Sequence, residues 1–390
     1  MNSKELDQQY IMNTYSRQDI VIVKGENATC YDENGKEYID FGSGIGVNSL
    51  GYCDEDWSNA VSEQAKTLQH TSNLYYSKPM ADLAQMLCEK TGYQKAFFGN
   101  SGAEANECAI KIARKYSFEK YGAEANRNKI ITLVNSFHGR TITTLSATGQ
   151  DIFHNYFHPF TQGFDYVNAG NIKELAAKCD NSVCAIMIEL IQGEGGVVPL
   201  DIDYVKQVAR ICKQNDILLI IDEVQTGIGR TGTLLASEQF GISPDITTLA
   251  KGLGGGLPIG VCIVNEKLSS VLKPSDHGTT YGGNPVVCAG AKVVLEKVSN
   301  AVFLKEVAEK GNYIKNKLLK LNEVEAVDGM GLMLGIQLKT KNAGEVVKAC
   351  IDNGLLPLTA KKKIRLLPPL SIQYEELNQG IAILKRILNA

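Results

Sequence analysis

Between residues 95 and 264 the chain alternates short apolar runs with stretches of helical period. Lys95–Phe98, Lys129–Val134, Val183–Leu190, Ile217–Ile221, Ile246–Leu249 and Gly260–Val264 predict strands. Glu104–Tyr121, Ile172–Cys179 and Tyr204–Asn215 predict helices between them. Runs that are apolar on both faces and separated by helices imply a mostly parallel sheet covered on both sides. Upstream the rhythm is β: Ile20–Val23, then Ala28–Tyr31 and Glu37–Phe41 flanking Asn34-Gly35, a dipeptide suited to a tight hairpin. Beyond Asn284-Pro285 the texture changes to long helices over Val286–Ser299 and Val302–Leu321. Strands near Leu332–Leu338 and Lys363–Leu366 follow, with helices at Ala343–Asn353 and Tyr374–Leu388. That part reads as α+β.

Composition narrows the class. The chain has 390 residues, 44% of them hydrophobic and 21% charged, with a net charge of −3. Two or three domains are expected, and disordered or fibrous classes are excluded. No basic excess exists to neutralise a nucleic-acid backbone, and no apolar run of about 18 residues exists to span a bilayer. The first residues lack the basic start and apolar stretch of a signal peptide, so a cytoplasmic protein is expected. Ten scattered cysteines, without a Cys-x-x-Cys pair, read as reduced core residues. The five histidines form no metal-binding pattern; His154 and His158 could share a helix face, but no acidic ligand accompanies them, and no metal is expected.

In an open α/β sheet, ligands sit beyond the carboxyl ends of the strands. Ile217–Ile221 leads into Asp222-Glu223-Val224-Gln225-Thr226, and Ile246–Leu249 leads into Ala250-Lys251 and a run of glycines. An Asp there is ordinarily a turn cap, and a Lys a solvated surface group. The glycines tilt the balance, because they leave the amine uncovered and let backbone approach a ligand. A Lys so presented suits Schiff-base chemistry, and a neighbouring Asp suits a pyridinium nitrogen. Phe98-Gly99-Asn100-Ser101-Gly102-Ala103 runs from a strand into a helix whose free N–H groups favour an anion such as a phosphate. Phe137 could stack on a flat heterocycle, and Arg140 could clamp a carboxylate. The rival motif Gly227-Ile-Gly229-Arg-Thr-Gly232 matches a dinucleotide fingerprint. It stands too far from its strand, however, and lacks the later acidic residue that ribose binding requires.

Taken together, Phe137-His-Gly-Arg-Thr141, Ile191-Gln-Gly-Glu-Gly-Gly196, Asp222-Glu-Val-Gln-Thr226, Leu249-Ala-Lys-Gly-Leu253 and Thr280-Tyr-Gly-Gly-Asn-Pro285 resemble, in order and nearly end to end, the class III aminotransferases. These are fold-type I, α/β enzymes that use pyridoxal 5'-phosphate. The resemblance implies a large domain over 46–284 with a mostly parallel sheet. It also implies a smaller α+β domain built from 285–390 and joined by the segment 1–45. Lys251 would hold the cofactor covalently and move the proton, and Asp222 would pair with the pyridine nitrogen. Phe137 would stack on the ring and Gln225 would bond its phenolic oxygen. Glu223 and Val224 belong to the same cofactor-binding stretch. Ser101, Gly102 and Ala103 would hold the phosphate, joined by Thr280 from the other subunit of a homodimer. For substrate, the resemblance implies Arg140 on the α-carboxylate of an acylated diamino acid and Arg365 on that of glutamate or 2-oxoglutarate. Glu194 would pair with Arg365 in the other half-reaction, and Thr279 would add a hydroxyl. Ornithine aminotransferases commonly carry a Tyr near Gly44 and Ile45; the small or aliphatic residues here leave room for an acyl group. Ornithine, succinyl-diaminopimelate and 4-aminobutyrate stay as alternative donors, and a non-catalytic cofactor-binding regulator as a remote one. The chain departs from the family's usual pattern at Tyr52, Asp54 and Leu190.

Overall fold

The computed structural model describes residues 1–390. Its centre is a seven-stranded sheet of Lys95–Gly99 (β1), Lys129–Leu133 (β2), Phe164–Val167 (β3), Val183–Ile188 (β4), Leu218–Asp222 (β5), Ile246–Leu249 (β6) and Gly260–Val264 (β7). The spatial order is β1-β7-β6-β5-β4-β2-β3. Only β7 runs against the rest, pairing antiparallel with β6 and β1. Strand β3 was not expected from the pattern. It lies at the sheet edge and is only half-buried, so its sequence Phe-Asp-Tyr-Val shows no continuous apolar run.

The apolar strands are explained by their two faces. Ile186, Ile188, Leu219 and Ile221 join one core with Tyr204, Val205 and Val208 of the helix Ile202–Gln214. Their neighbours Ala185, Met187, Leu218 and Ile220 join another with Cys108, Ile112 and Ala113 of the helix Gly102–Tyr121 (α1). Alternate residues thus face opposite helices, and every position in β4 and β5 is buried.

The N-terminal strands Ile22–Glu26, Thr29–Asp32 and Glu37–Asp40 form an antiparallel sheet, to which Leu355–Leu356 adds in parallel. A second sheet joins Val324–Met330, Met333–Leu338, Lys363–Leu366 and Leu358–Ala360. A single apolar cluster runs from Ala28 through Val261 to Leu388, so both chain ends pack onto the β1 side of the central sheet. The helix Pro285–Val298 lies beyond the expected boundary at 284 but packs on the earlier helices Glu55–Thr67 and Lys78–Thr91. A Cβ on its Gly290 would stand 2.8 Å from the Trp57 ring, which fixes that close approach. His154 and His158 do not share a helix face. The 3-10 turn Asp151–Phe153 ends at His154, whose Nε2 lies 2.9 Å from the Leu145 carbonyl.

Candidate active site

At the carboxyl ends of the parallel strands lies a cavity of about 460 Å³, within the usual range for a small-molecule site. Ser101, Gly102, Ala103, Phe137, Arg140, Glu194, Asp222, Val224, Gln225 and Lys251 all line it. Ser101 caps α1, its Oγ accepting from Glu104 N at 3.2 Å, while the N–H groups of the first turn stay free of helical partners. Two glycines make this corner possible. A Cβ on Gly102 would stand 2.7 Å from Val224, and one on Gly260 would stand 1.9 Å from the Ser101 carbonyl oxygen.

Asp222 ends β5 and is 4% exposed. Its Oδ2 lies 2.8 Å from both Asn106 Nδ2 and His138 Nδ1, and its Oδ1 accepts from Val224 N at 3.0 Å. Asn106 is itself fixed by Thr248 Oγ1 and the His138 carbonyl. Three neighbours thus fix the orientation of this carboxylate in the cavity wall. Lys251 follows β6 with φ of 39°, and burial pushes its amine below the ordinary lysine range; Glu194 opposes that shift and Arg365 adds to it.

Arg365 is 3% exposed and reaches the cavity through its partners, with Nη1 2.6 Å from Glu194 Oε1 and 3.4 Å from Gln225 Oε1. Burial alone would raise the Glu194 carboxyl, but the Arg365 guanidinium holds it below the usual range. Arg140, by contrast, has no carboxylate partner; its guanidinium lies 4.1 Å from the Phe153 ring centroid and 5.6 Å from that of Phe137. Glu223 turns away from the cavity and accepts from Ala236 N, Ser237 N and Thr226 Oγ1. Thr279 and Thr280 do not line the cavity of their own chain. Thr279 Oγ1 accepts from Asn100 Nδ2 at 3.0 Å, and Thr280 is exposed.

Sequence reasoning passed over Asn106, His138 and Glu189. His138 stood inside a quoted motif, read only for its flanking Phe and Arg. Glu189 follows directly on β4, so the strand-end logic that picked out Asp222 applies to it equally. It is buried in the cavity wall, accepts from Phe137 N and Gly193 N, and is pushed up to about 7 by burial.

The glycines after Lys251 also differ from expectation. They make room for the protein itself: a Cβ on Gly254 would strike the Leu257 carbonyl and one on Gly255 the Trp57 ring. Ser49 Oγ and Trp57 Nε1 bond the Gly252 and Gly254 carbonyls at 2.6 and 3.1 Å. The run is a pinned wall of the site, with its backbone held by neighbours.

The donor set fits a phosphorylated pyridine aldehyde. An amine and a buried carboxylate stand in one cavity with an aromatic ring and with the start of α1, where Gly102 and Ala103 line the wall. Comparison with known proteins agrees. The family model of the class III aminotransferases matches residues 10–388. An acetylornithine aminotransferase from Haemophilus ducreyi is 50% identical, over 99% of this chain and 98% of that protein. The N-acetylornithine aminotransferase structure from Stenotrophomonas maltophilia superposes with a TM-score of 0.86 at 35% identity, over 99% of this chain and 98% of the other. An ornithine aminotransferase from Toxoplasma gondii, with pyridoxal phosphate at partial occupancy in its active site, superposes at 0.93 with 32% identity, over 99% and 93%.

Proposed function

Because the chain belongs to the class III aminotransferases, we propose that it moves the δ-amino group of N2-acetyl-L-ornithine reversibly to 2-oxoglutarate, giving N-acetylglutamate 5-semialdehyde and glutamate, a step of arginine biosynthesis. One observation supports a transfer between two carboxylate substrates. Two guanidiniums serve one cavity, and only Arg365 is closed by a carboxylate, at 2.6 Å from Glu194. Transamination admits two carboxylate substrates in turn, and an exchangeable ion pair lets one clamp open for glutamate and close for the other donor.

Pyridoxal phosphate is the cofactor, and when bound it supplies the electron sink for a carbon that loses its proton. In this reading Lys251 Nζ would hold it covalently and, once freed, would take up and return that proton. Burial, which lowers the basicity of this amine, favours the uncharged form that can take up a proton. Asp222, braced by Asn106 and His138, would pair with the ring nitrogen. The first N–H groups of α1 and Ser101 Oγ take the phosphate. Arg140 orients the acylated donor by its α-carboxylate, leaving the remote amine to reach the lysine end of the cavity.

The site is completed by a second copy of the chain. Thr280 lies outside its own cavity, and beside it Asn73 Nδ2 bonds the Thr279 and Gly282 carbonyls. Leu74, Tyr75, Tyr76 and Tyr281 are exposed there, an apolar patch that a homodimer would cover. No helix is long and apolar enough to cross a membrane. All ten cysteines are free thiols, which supports the reducing cytoplasm as the protein's compartment.

The test is a comparison of amine donors with 2-oxoglutarate as acceptor. N2-acetyl-L-ornithine is expected to exceed free ornithine, succinyl-diaminopimelate and 4-aminobutyrate in kcat/KM, and ornithine by about tenfold or more. Faster turnover of free ornithine overturns the substrate assignment in favour of the ornithine aminotransferases, which are similar to this chain at 32% identity.

A further inference from the structure

The geometry points to Phe153 as a positioning residue that selects the acylated donor by holding Arg140 open. This rests on the reading of Arg140 given above. The two guanidiniums of the site are restrained by different means. Arg365 is held by a carboxylate, whereas Arg140 is held by two aromatic faces, closest to Phe153 at 4.1 Å, with no acidic group in an ion pair with it. The difference has chemical content. A carboxylate neutralises a guanidinium and must leave before a substrate carboxylate can bind. A ring face attracts the cation through its quadrupole and leaves the charge and the in-plane N–H fork available. Arg140 is therefore a permanently open clamp, and Arg365 a gated one.

Phe153 is placed for this by construction. The residues before it are tied back to the start of the Phe137 loop: Gly149 N donates to Ser136 Oγ at 3.1 Å, and Gln150 Nε2 donates to the Ser136 carbonyl at 3.0 Å. The 3-10 turn Asp151–Phe153 then delivers the ring, which meets Phe137 edge-on at 6.0 Å between centroids. Phe153 does not itself line the cavity, so it reaches the substrate only through Arg140. Without the ring, Arg140 is a long exposed side chain with rotamers to lose on binding, and the donor pays that ordering cost.

The experiment uses the holoenzyme and the variants Phe153→Leu and Phe153→Tyr. Phe153→Leu is expected to raise KM for N2-acetyl-L-ornithine roughly two- to tenfold with little change in kcat, the span given by a cation–π contact. KM for glutamate in the reverse direction should stay at the wild-type value. Affinity for N-acetyl-L-norvaline, which carries the acylated amine and carboxylate but no δ-amine, should fall in parallel when measured by calorimetry. Phe153→Tyr should retain wild-type values. An unchanged KM for the acetylated donor overturns the inference, as do equal losses for both substrates or a loss confined to kcat. Failure of the wild-type enzyme to use the acetylated donor overturns the substrate reading itself, which keeps the two failures apart.

Discussion

Glu189 is a buried residue whose ionisation opposes folding. A carboxyl ordinarily near 4.5 is pushed up to about 7 by burial, with Asp222 raising it further and His138 lowering it. The folded chain therefore binds more protons than the unfolded one between those values, and stability falls as pH rises through that window before levelling above about 7. The shift corresponds to about 3 kcal/mol as an upper bound. Glu189→Gln keeps a carbonyl oxygen for one of the two N–H groups that Glu189 accepts from, those of Phe137 and Gly193, and removes the titration. Relative to wild type, its melting temperature is expected to climb between about pH 4.5 and about 7. Calorimetry across that range checks this, and a difference independent of pH would show that Glu189 stays charged in the fold.

At the scale of elements, the site depends on how closely three of them meet. The start of α1, the loop after β5 and the start of β7 touch at Ser101, Val224 and Gly260. Gly260→Ala would force a methyl to within 1.9 Å of the Ser101 carbonyl oxygen, and relief requires moving the helix cap. A loss of about 3 kcal/mol in stability is expected, at the upper end for overpacking. Retention of pyridoxal phosphate after dialysis, read by absorbance, should fall with it. Most of this architecture was legible in the chain. The strands Ile246–Leu249 and Gly260–Val264 have the bounds expected from their apolar runs, and Asp222 and Lys251 were found from their place after strands. What escaped notice has common causes. Strand β3 is half-exposed, and the helix Glu55–Thr67 has no buried residue to mark its face. Asn106 lies one turn into a helix, where a buried polar residue reads as filler until its partners are seen.

At the scale of the whole molecule, the proposed shared site makes a prediction that a single chain cannot satisfy. Lys251→Ala and Thr280→Ala proteins should each be impaired alone. Unfolded and refolded together, they should form hybrid dimers with one site carrying both lesions and one carrying neither. Activity in the mixture is expected to rise to about a quarter of wild type, since half of randomly paired dimers are hybrids with one intact site. No recovery would place Thr280 and Lys251 in the same subunit's site.

The edge position of β1 has a consequence for how the protein is made. Its only partner in the sheet is β7, and some 160 residues of chain separate Gly99 from Gly260, the pair at the end of that register. On the ribosome, at about 5–20 residues per second, β1 and the phosphate cradle that follows it wait roughly ten to thirty seconds for the strand that fixes them. Strand β5 emerges well before that, and β6 only shortly before. A nascent chain thus presents Asp222, then Lys251, while the anion end of the cavity is still unformed, and the cofactor can secure the fold only once the last strand has crossed between its neighbours.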